Sequence, residues 1–255
     1  MKIILSPTKN MNEEGAALEV KTRPAFPEQT ETLMARLKKM TRKDLQAMWD
    51  VSDKLTDKNV KAIKRFDSDN VGVPALELFD GLAYKYVKAE VFTEKEWAYV
   101  QKHLRIISGL YGLIRPLDGI QPYRLEMGTK IKVKADGEHY DNLYDFWGSR
   151  LADALAEDDD VIINLASKEY SKAVTDHLPD SVRLITINFG EITKDKNGKK
   201  KFKSYGTKAK MARGMMVRYM AEHQIEDVDA TKKFDEEGYR FDPASSDDDN
   251  WNFLD

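Results

Sequence analysis

Leu104 to Gly128 reads LRIISGLYGLIRPLDGIQPYRLEMG, and the arrangement of the whole chain turns on how this run is read. The apolar Leu104, Ile106 and Ile107 open it as a helix, and Gly109 and Gly112 follow where main chain can pass close to a neighbour. Pro116 and Pro122 each remove a backbone donor and restrict the residue before them, so no helix continues through. Leu117-Asp118-Gly119 between them reads as a turn. Tyr123-Arg124-Leu125-Glu126-Met127-Gly128 then alternates polar and apolar groups, which predicts a short strand with Arg124 and Glu126 on one face. Two readings stay open for Arg115, Tyr123, Arg124 and Glu126. They are either a buried ion pair fixing a turn or a concave polar site on irregular backbone, and the second is preferred because binding residues concentrate on such backbone.

Outward from this run, Lys2-Ile3-Ile4-Leu5 and Val161-Ile162-Ile163-Asn164-Leu165-Ala166 read as buried strands. Each ends in a serine and a charged turn: Ser6-Pro7-Thr8-Lys9 in the first case, Ser167-Lys168-Glu169-Tyr170 in the second. Strand ends of this kind are where α/β proteins bind ligands, and the two are expected to converge with the central run. Arg183 to Phe189 and Lys201 to Tyr205 read as a hairpin, and Asp136-Gly137 marks a second one returning through Tyr140. Tyr84-Lys85-Tyr86-Val87 is read as a strand or an aromatic-lined continuation. Thr41 and Thr93 are N-caps, and Thr93 with Glu96 forms a capping box. Thr207 is expected to cap a helix with Met211, Met215, Met216 and Met220 as its apolar stripe. Residues 13–27 read as a surface loop, Phe234 to Phe241 as a hairpin, and 247–255 as a frayed acidic tail.

The expected fold class is α/β (mixed α+β): one domain over residues 1–255, with a central mixed sheet surrounded by helices. Residues 41–66 insert a helix-hairpin-helix-like element, two helices joined by the polar link Ser52-Asp53-Lys54-Leu55-Thr56-Asp57. A net charge of -3 excludes a uniformly basic nucleic-acid binder, yet the basic residues are clustered. Lys54 falls in the link and Lys58 and Lys61 on the helix that follows it, while Lys199, Lys200, Lys201, Lys203, Lys208, Lys210 and Arg213 gather near the second hairpin. Cysteine is absent and the four histidines are scattered, so neither a thiolate nucleophile nor a transition-metal site is expected. No cofactor motif is present. The N-terminal apolar run is too short for a signal peptide and no segment approaches the roughly 20 apolar residues of a membrane span, so a cytoplasmic protein without membrane contact is expected.

The blocks Ser6-Pro7-Thr8-Lys9, Ser52-Asp53-Lys54-Leu55, Leu104 to Gly128, Leu143 to Gly148, Asn164 to Tyr170, Lys208 to Gly214 and Glu237-Gly238-Tyr239 together resemble the YaaA peroxide-stress-resistance family along essentially the whole chain. The resemblance implies a bacterial cytosolic protein that limits hydrogen-peroxide damage and is associated with lowering free intracellular iron. It also implies a single-domain α/β fold with a positively charged cleft, and a helix-hairpin-helix element that binds DNA. In residues 41–66 the hairpin glycines of such elements are missing, so side chains would have to replace close main-chain contacts to phosphate.

Two hypotheses follow. In the first, double-stranded or distorted DNA is held without reading sequence by Ser52, Lys54, Lys58, Lys61, Lys208, Lys210 and Arg213. In the second, Ser6, Lys9, Arg115, Tyr123, Arg124, Glu126, Ser167, Glu169, Tyr170 and Tyr239, joined by Lys208, surround an anionic small molecule, with or without chemistry on it. Carboxylates such as Glu126 and Glu169 have no place in plain phosphate-backbone binding, which gives the second hypothesis its weight.

Overall fold

Residues 1–12, 17–194 and 196–255 are described by the structure, a computed structural model. In chain order they form β1 (Lys2–Leu5), α1 (Pro27–Lys38), α2 (Arg42–Trp49), α3 (Asp53–Arg65), β2 (Val73–Pro74), α4 (Ala75–Leu78), α5 (Leu82–Val87), α6 (Glu94–His103) and β3 (Leu104–Ser108). Then come β4 (Gly112–Ile114), β5 (Gly119–Ile120), β6 (Val133–Ala135), β7 (Glu138–Tyr140), α7 (Leu143–Trp147), α8 (Arg150–Asp158), β8 (Val161–Asn164) and α9 (Lys168–Thr175). The chain finishes with β9 (Arg183–Lys194), β10 (Lys200–Lys203), α10 (Gly206–Glu222), β11 (Arg240–Phe241) and β12 (Asn250–Leu254). Among the described residues no helix is long and apolar enough to cross a membrane.

The main sheet runs in the order β11-β12-β9-β8-β1-β3-β4, with β10 extending the far half of β9 as a hairpin. Its centre is parallel: β1 pairs with β3 on one side and β8 on the other, β8 with β9, and β9 with β12. Only the margins β4, β10 and β11 are antiparallel. All four residues of β1 and all five of β3 are buried, as strands must be when helices cover both faces of a parallel sheet. The cover comes from α5 and α6, each packed on α10, and from α7 and α8 packed on α9, which lies against β3. This is an α/β fold with a mixed central sheet.

Several expectations are corrected. Residues 104–107 are not helical: α6 ends at His103, and Leu104 passes straight into β3 against β1. A short apolar run has no periodicity of its own, and here the open edge of β1 decides it. Residues 123–128 belong to no strand; their carbonyls and amides are used individually, as in Trp49 Nε1–H to the Arg124 carbonyl at 3.1 Å. Tyr84 to Val87 lies in helix α5. The second helix of the hairpin element begins at Asp53, so the link is Asp50-Val51-Ser52 alone, with Asp50 in the left-handed region at φ 48°. Helix α10 starts at Gly206 without a side-chain cap, so Thr207 sits inside its first turn.

The acidic tail is not frayed. Residues 250–254 form β12, parallel to β9, with Trp251 and Phe253 buried. Burying each of these rings contributes roughly 1.5–3 kcal/mol or more, and the alternation that places them inside was masked by the preceding aspartates. Asp247 turns the chain by accepting from the Asp249 and Asn250 amides. Residues 234–241 are likewise no hairpin: Arg240 and Phe241 pair with β12. Of the loop expected at 13–27, residues 13–16 lie outside the described residues. The N-cap at Thr41, the capping box at Thr93 and the hairpin β6–β7 form as the sequence predicts, and the second hairpin forms farther along β9 than expected, Lys200–Lys203 pairing with Glu191–Lys194 while residues 183–189 pair with β8 and β12.

Candidate functional site

The connection leaving β1 leads eventually to β3 on one side of it, whereas the connection leaving β8 leads to β9 on the other. Neighbouring parallel strands whose connections diverge leave a crevice beyond their carboxyl ends. That crevice is occupied here by a cavity of about 470 Å³. Its floor is Leu5 with Ser6 from β1 and Leu165 with Ser167 from β8. The two exits are tied together: the Ser167 amide donates to Ser6 Oγ at 2.8 Å, and Ser6 Oγ donates to Ser167 Oγ at 3.2 Å. Tyr84 clamps the first exit by donating its hydroxyl to the Ser6 carbonyl at 2.9 Å.

The opposite wall is α10, which contributes Thr207, Lys210 and Arg213 on one face at three-residue spacing. Gly214 lets this helix approach α5 closely, since a Cβ there would lie 2.0 Å from the Ala83 carbonyl oxygen. Gly81 does the same for the β1 exit, where a Cβ would lie 2.4 Å from Thr8 Oγ1. The cavity is therefore built from four segments of chain drawn together by two glycines. Its third side is Lys9, Glu169 and Tyr170.

Electrostatically the cavity is positive. Arg213 is half-buried, its Nε is buried without a hydrogen-bond partner, and it forms no ion pair among the described residues. Desolvation alone pushes its pKa down. Lys210 is exposed and likewise without an ion pair. Lys9 bonds Glu126 at 3.0 Å, and Glu126 also receives Arg124 at 2.9 Å. Glu169 Oε1 accepts from the Gly128 amide at 3.0 Å, which fixes the carboxylate against the central run. Burial pushes the Tyr84 and Tyr170 hydroxyls well above the ordinary tyrosine range, so both remain neutral donors.

Of the residues expected at an anion pocket, the structure brings Ser6, Lys9, Ser167, Glu169 and Tyr170 together around this cavity. Arg124 and Glu126 adjoin it only through Lys9; their side chains are 10% and 16% exposed, so they form a half-hidden brace rather than a wall. Tyr123 is buried, with its hydroxyl on Ser108 Oγ at 2.7 Å. Arg115 sits over Asp118 at 3.5 Å, Tyr239 packs edge-on against Phe189, and Lys208 pairs with Asp255 at 2.5 Å, all outside the cavity. Lys210 and Arg213, assigned from sequence to DNA, line this cavity. Thr8 lies in the strand exit already read as a ligand-binding end, whereas Asn10, Thr207 and the 81–84 segment were not anticipated, although Asp80-Gly81 carried a turn signal that could have found the last.

The hairpin element is a separate surface. Lys58, Lys61 and Arg65 line a groove of about 210 Å³ against Gln121 and Pro122, while Ser52 makes no capping bond and Lys54 is exposed on the first turn of α3. The positive end of α3 is already supplied with carboxylates, Asp53 and Asp57, which Arg42 bridges at 2.8 and 2.6 Å. Among the described residues no three His, Asp or Glu side chains come together as a metal site.

Residues 1–245 match the family model described as "Peroxide stress protein YaaA". The chain is similar to a UPF0246 protein of Pediococcus pentosaceus, 41% identical over 249 residues that cover 97% of this chain and 96% of the relative. It is 40% identical over 253 residues to a UPF0246 protein of Lactobacillus acidophilus, covering 99% of this chain and 96% of that one. A third UPF0246 protein, from Lachnoclostridium phytofermentans, is 41% identical over 254 residues, covering 100% and 96%. Matched along nearly all of its length by model and relatives alike, the chain belongs to the YaaA peroxide-stress protein family.

Proposed function

We propose that the molecular activity of this peroxide-stress family member is the binding of a small anionic ligand in the cavity beyond β1 and β8. The observation that carries this reading is Arg213: a guanidinium with a buried Nε, facing a cavity and lacking any carboxylate partner among the described residues. Holding such a charge away from water is costly unless a counter-charge arrives, and an anionic ligand supplies one. The test is calorimetric titration of inorganic phosphate and of acetate into the wild-type protein and into Arg213→Met. At least one anion binds the wild type and loses roughly tenfold or more in affinity in the variant, as expected for a lost charge-assisted hydrogen bond. Equal binding to both proteins, or none to either, rejects the cavity.

A second reading, DNA bound without sequence preference, is supported by the groove in which Lys58, Lys61 and Arg65 lie together along α3. Phosphate contacts there would come from side chains, because the link between α2 and α3 places Asp50, not glycine, at its left-handed position. The lowering of free intracellular iron is read as an indirect effect. A chain with no cysteine, four scattered histidines and, among the described residues, no cluster of three His, Asp or Glu side chains offers no assembled site for tight iron binding, and about one iron retained per purified chain would overturn this.

A further inference from the structure

The charges around the cavity do not cancel, and the surplus indicates what kind of anion belongs there. Lys9 and Arg124 share one carboxylate, Glu126. Glu169 adds a second carboxylate, engaged by a main-chain amide. Lys210 and Arg213 have no carboxylate at all among the described residues. Four cations against two carboxylates leave two positive charges uncompensated. A carboxylate or phosphodiester would neutralise one of them, whereas a phosphomonoester, with a charge of about -1.5 to -2 near neutral pH, neutralises both.

The donors match the same group. Ser6 already donates to Ser167 Oγ, so the Ser167 hydroxyl proton is available to a ligand. The first N–H groups of α9 have no acceptor within their helix, and Ser167 does not cap them with its side chain. A guanidinium pairs with phosphate through two parallel hydrogen bonds. Size adds a second constraint: inorganic phosphate alone would leave most of the 470 Å³ empty, and the remaining lining includes the apolar Pro7, Leu82 and Ala83 and the rings of Tyr84 and Tyr170 beside the polar Thr8 and Asn10. That volume lies in the range of about 300–1,000 Å³ typical of pockets for whole small molecules.

We infer that the cavity takes a phosphomonoester dianion whose organic part is of nucleoside size, with the phosphate on Lys210 and Arg213 and the organic part against the tyrosines. This rests on the anion-binding reading above and narrows it to a ligand class. The probes are adenosine 5′-monophosphate, the cyclic 3′,5′-diester and adenosine, each titrated calorimetrically into the whole protein. The monoester binds roughly tenfold or more tightly than the diester, and adenosine binds more weakly than either. Lys210→Gln, at an exposed position, weakens the monoester several-fold more than the diester and so removes most of the monoester's advantage; equal losses for the two would overturn the dianion assignment. Between pH 7 and 5 the monoester loses roughly tenfold as its second ionisation near 6 is reversed, and the diester, titrated in parallel, reports any ionisation of the walls. If monoester and diester bind alike while Arg213→Met still abolishes both, the dianion inference falls and anion binding stands. If no phosphate compound binds while acetate does, the ligand class is wrong. If nothing binds, both conclusions fall together.

Discussion

Replacing Glu126 by glutamine removes the one carboxylate that stands between Arg124 and Lys9, at 2.9 and 3.0 Å. The two cations are placed very differently. Lys9 is 62% exposed and can return to water, whereas Arg124 is 10% exposed, with its Nε buried and unpaired. Breaking a fully buried pair costs roughly 3–5 kcal/mol, and residual exposure here puts the expected loss near the lower end, about 3 kcal/mol. For a protein of this size that is a fall in melting temperature of roughly 6–12 °C. Lys9→Met, by contrast, should cost under about 1 kcal/mol, the range of exposed ion pairs. Scanning calorimetry on the two variants measures both. A Glu126→Gln protein melting within about 2 °C of wild type, or a Lys9→Met protein melting as low as Glu126→Gln, would refute the description of this cluster as a brace.

Two further outcomes are expected. Charge reversal at Lys54, Lys58 and Lys61 weakens duplex DNA binding in an electrophoretic or fluorescence assay far more than reversal at Lys38 and Lys39, and wild-type binding falls steeply with salt; insensitivity to salt would contradict phosphate contact. Burial pushes the His103 imidazole below its ordinary 6.5, against the pull of the Met1 carbonyl and Glu226, with Tyr99 stacked on its ring and Lys102 nearby. The folded state therefore holds this proton more weakly than the unfolded chain, so the contribution is complete above about pH 6.5 and is lost as pH falls through the folded value. Urea midpoints should drop between pH 7 and 5, and His103→Gln should flatten that slope.

The parallel centre of the sheet was legible because β1 and β8 are short, mainly apolar runs leading into Ser-containing turns, and the convergence of those turns followed from where such strands end. The central run was misread in part because Leu104 to Ser108 is too short to carry a period, and only its position beside β1 makes it a strand. Residues 123–128 alternate like a strand, yet their backbone is taken up by individual bonds to Trp49 and Glu169 that no local pattern announces. Arg213 and Lys210 looked like a basic surface because charge in sequence carries no direction. What turns that face of α10 inward is Gly214 against Ala83, a contact between segments far apart in the chain.

Strand β1 has a consequence for how the protein comes apart. Ile3 is paired with Leu104 on one side and Ile163 on the other, so the cavity exists only after two very long loops have closed. A folding intermediate that lacks either closure has no ligand site, and a bound molecule stabilises the finished state alone. Ligand is therefore expected to leave the folding rate where it is and to slow unfolding. Under denaturing stress, occupancy would set how long a folded molecule lasts rather than how quickly a new one forms.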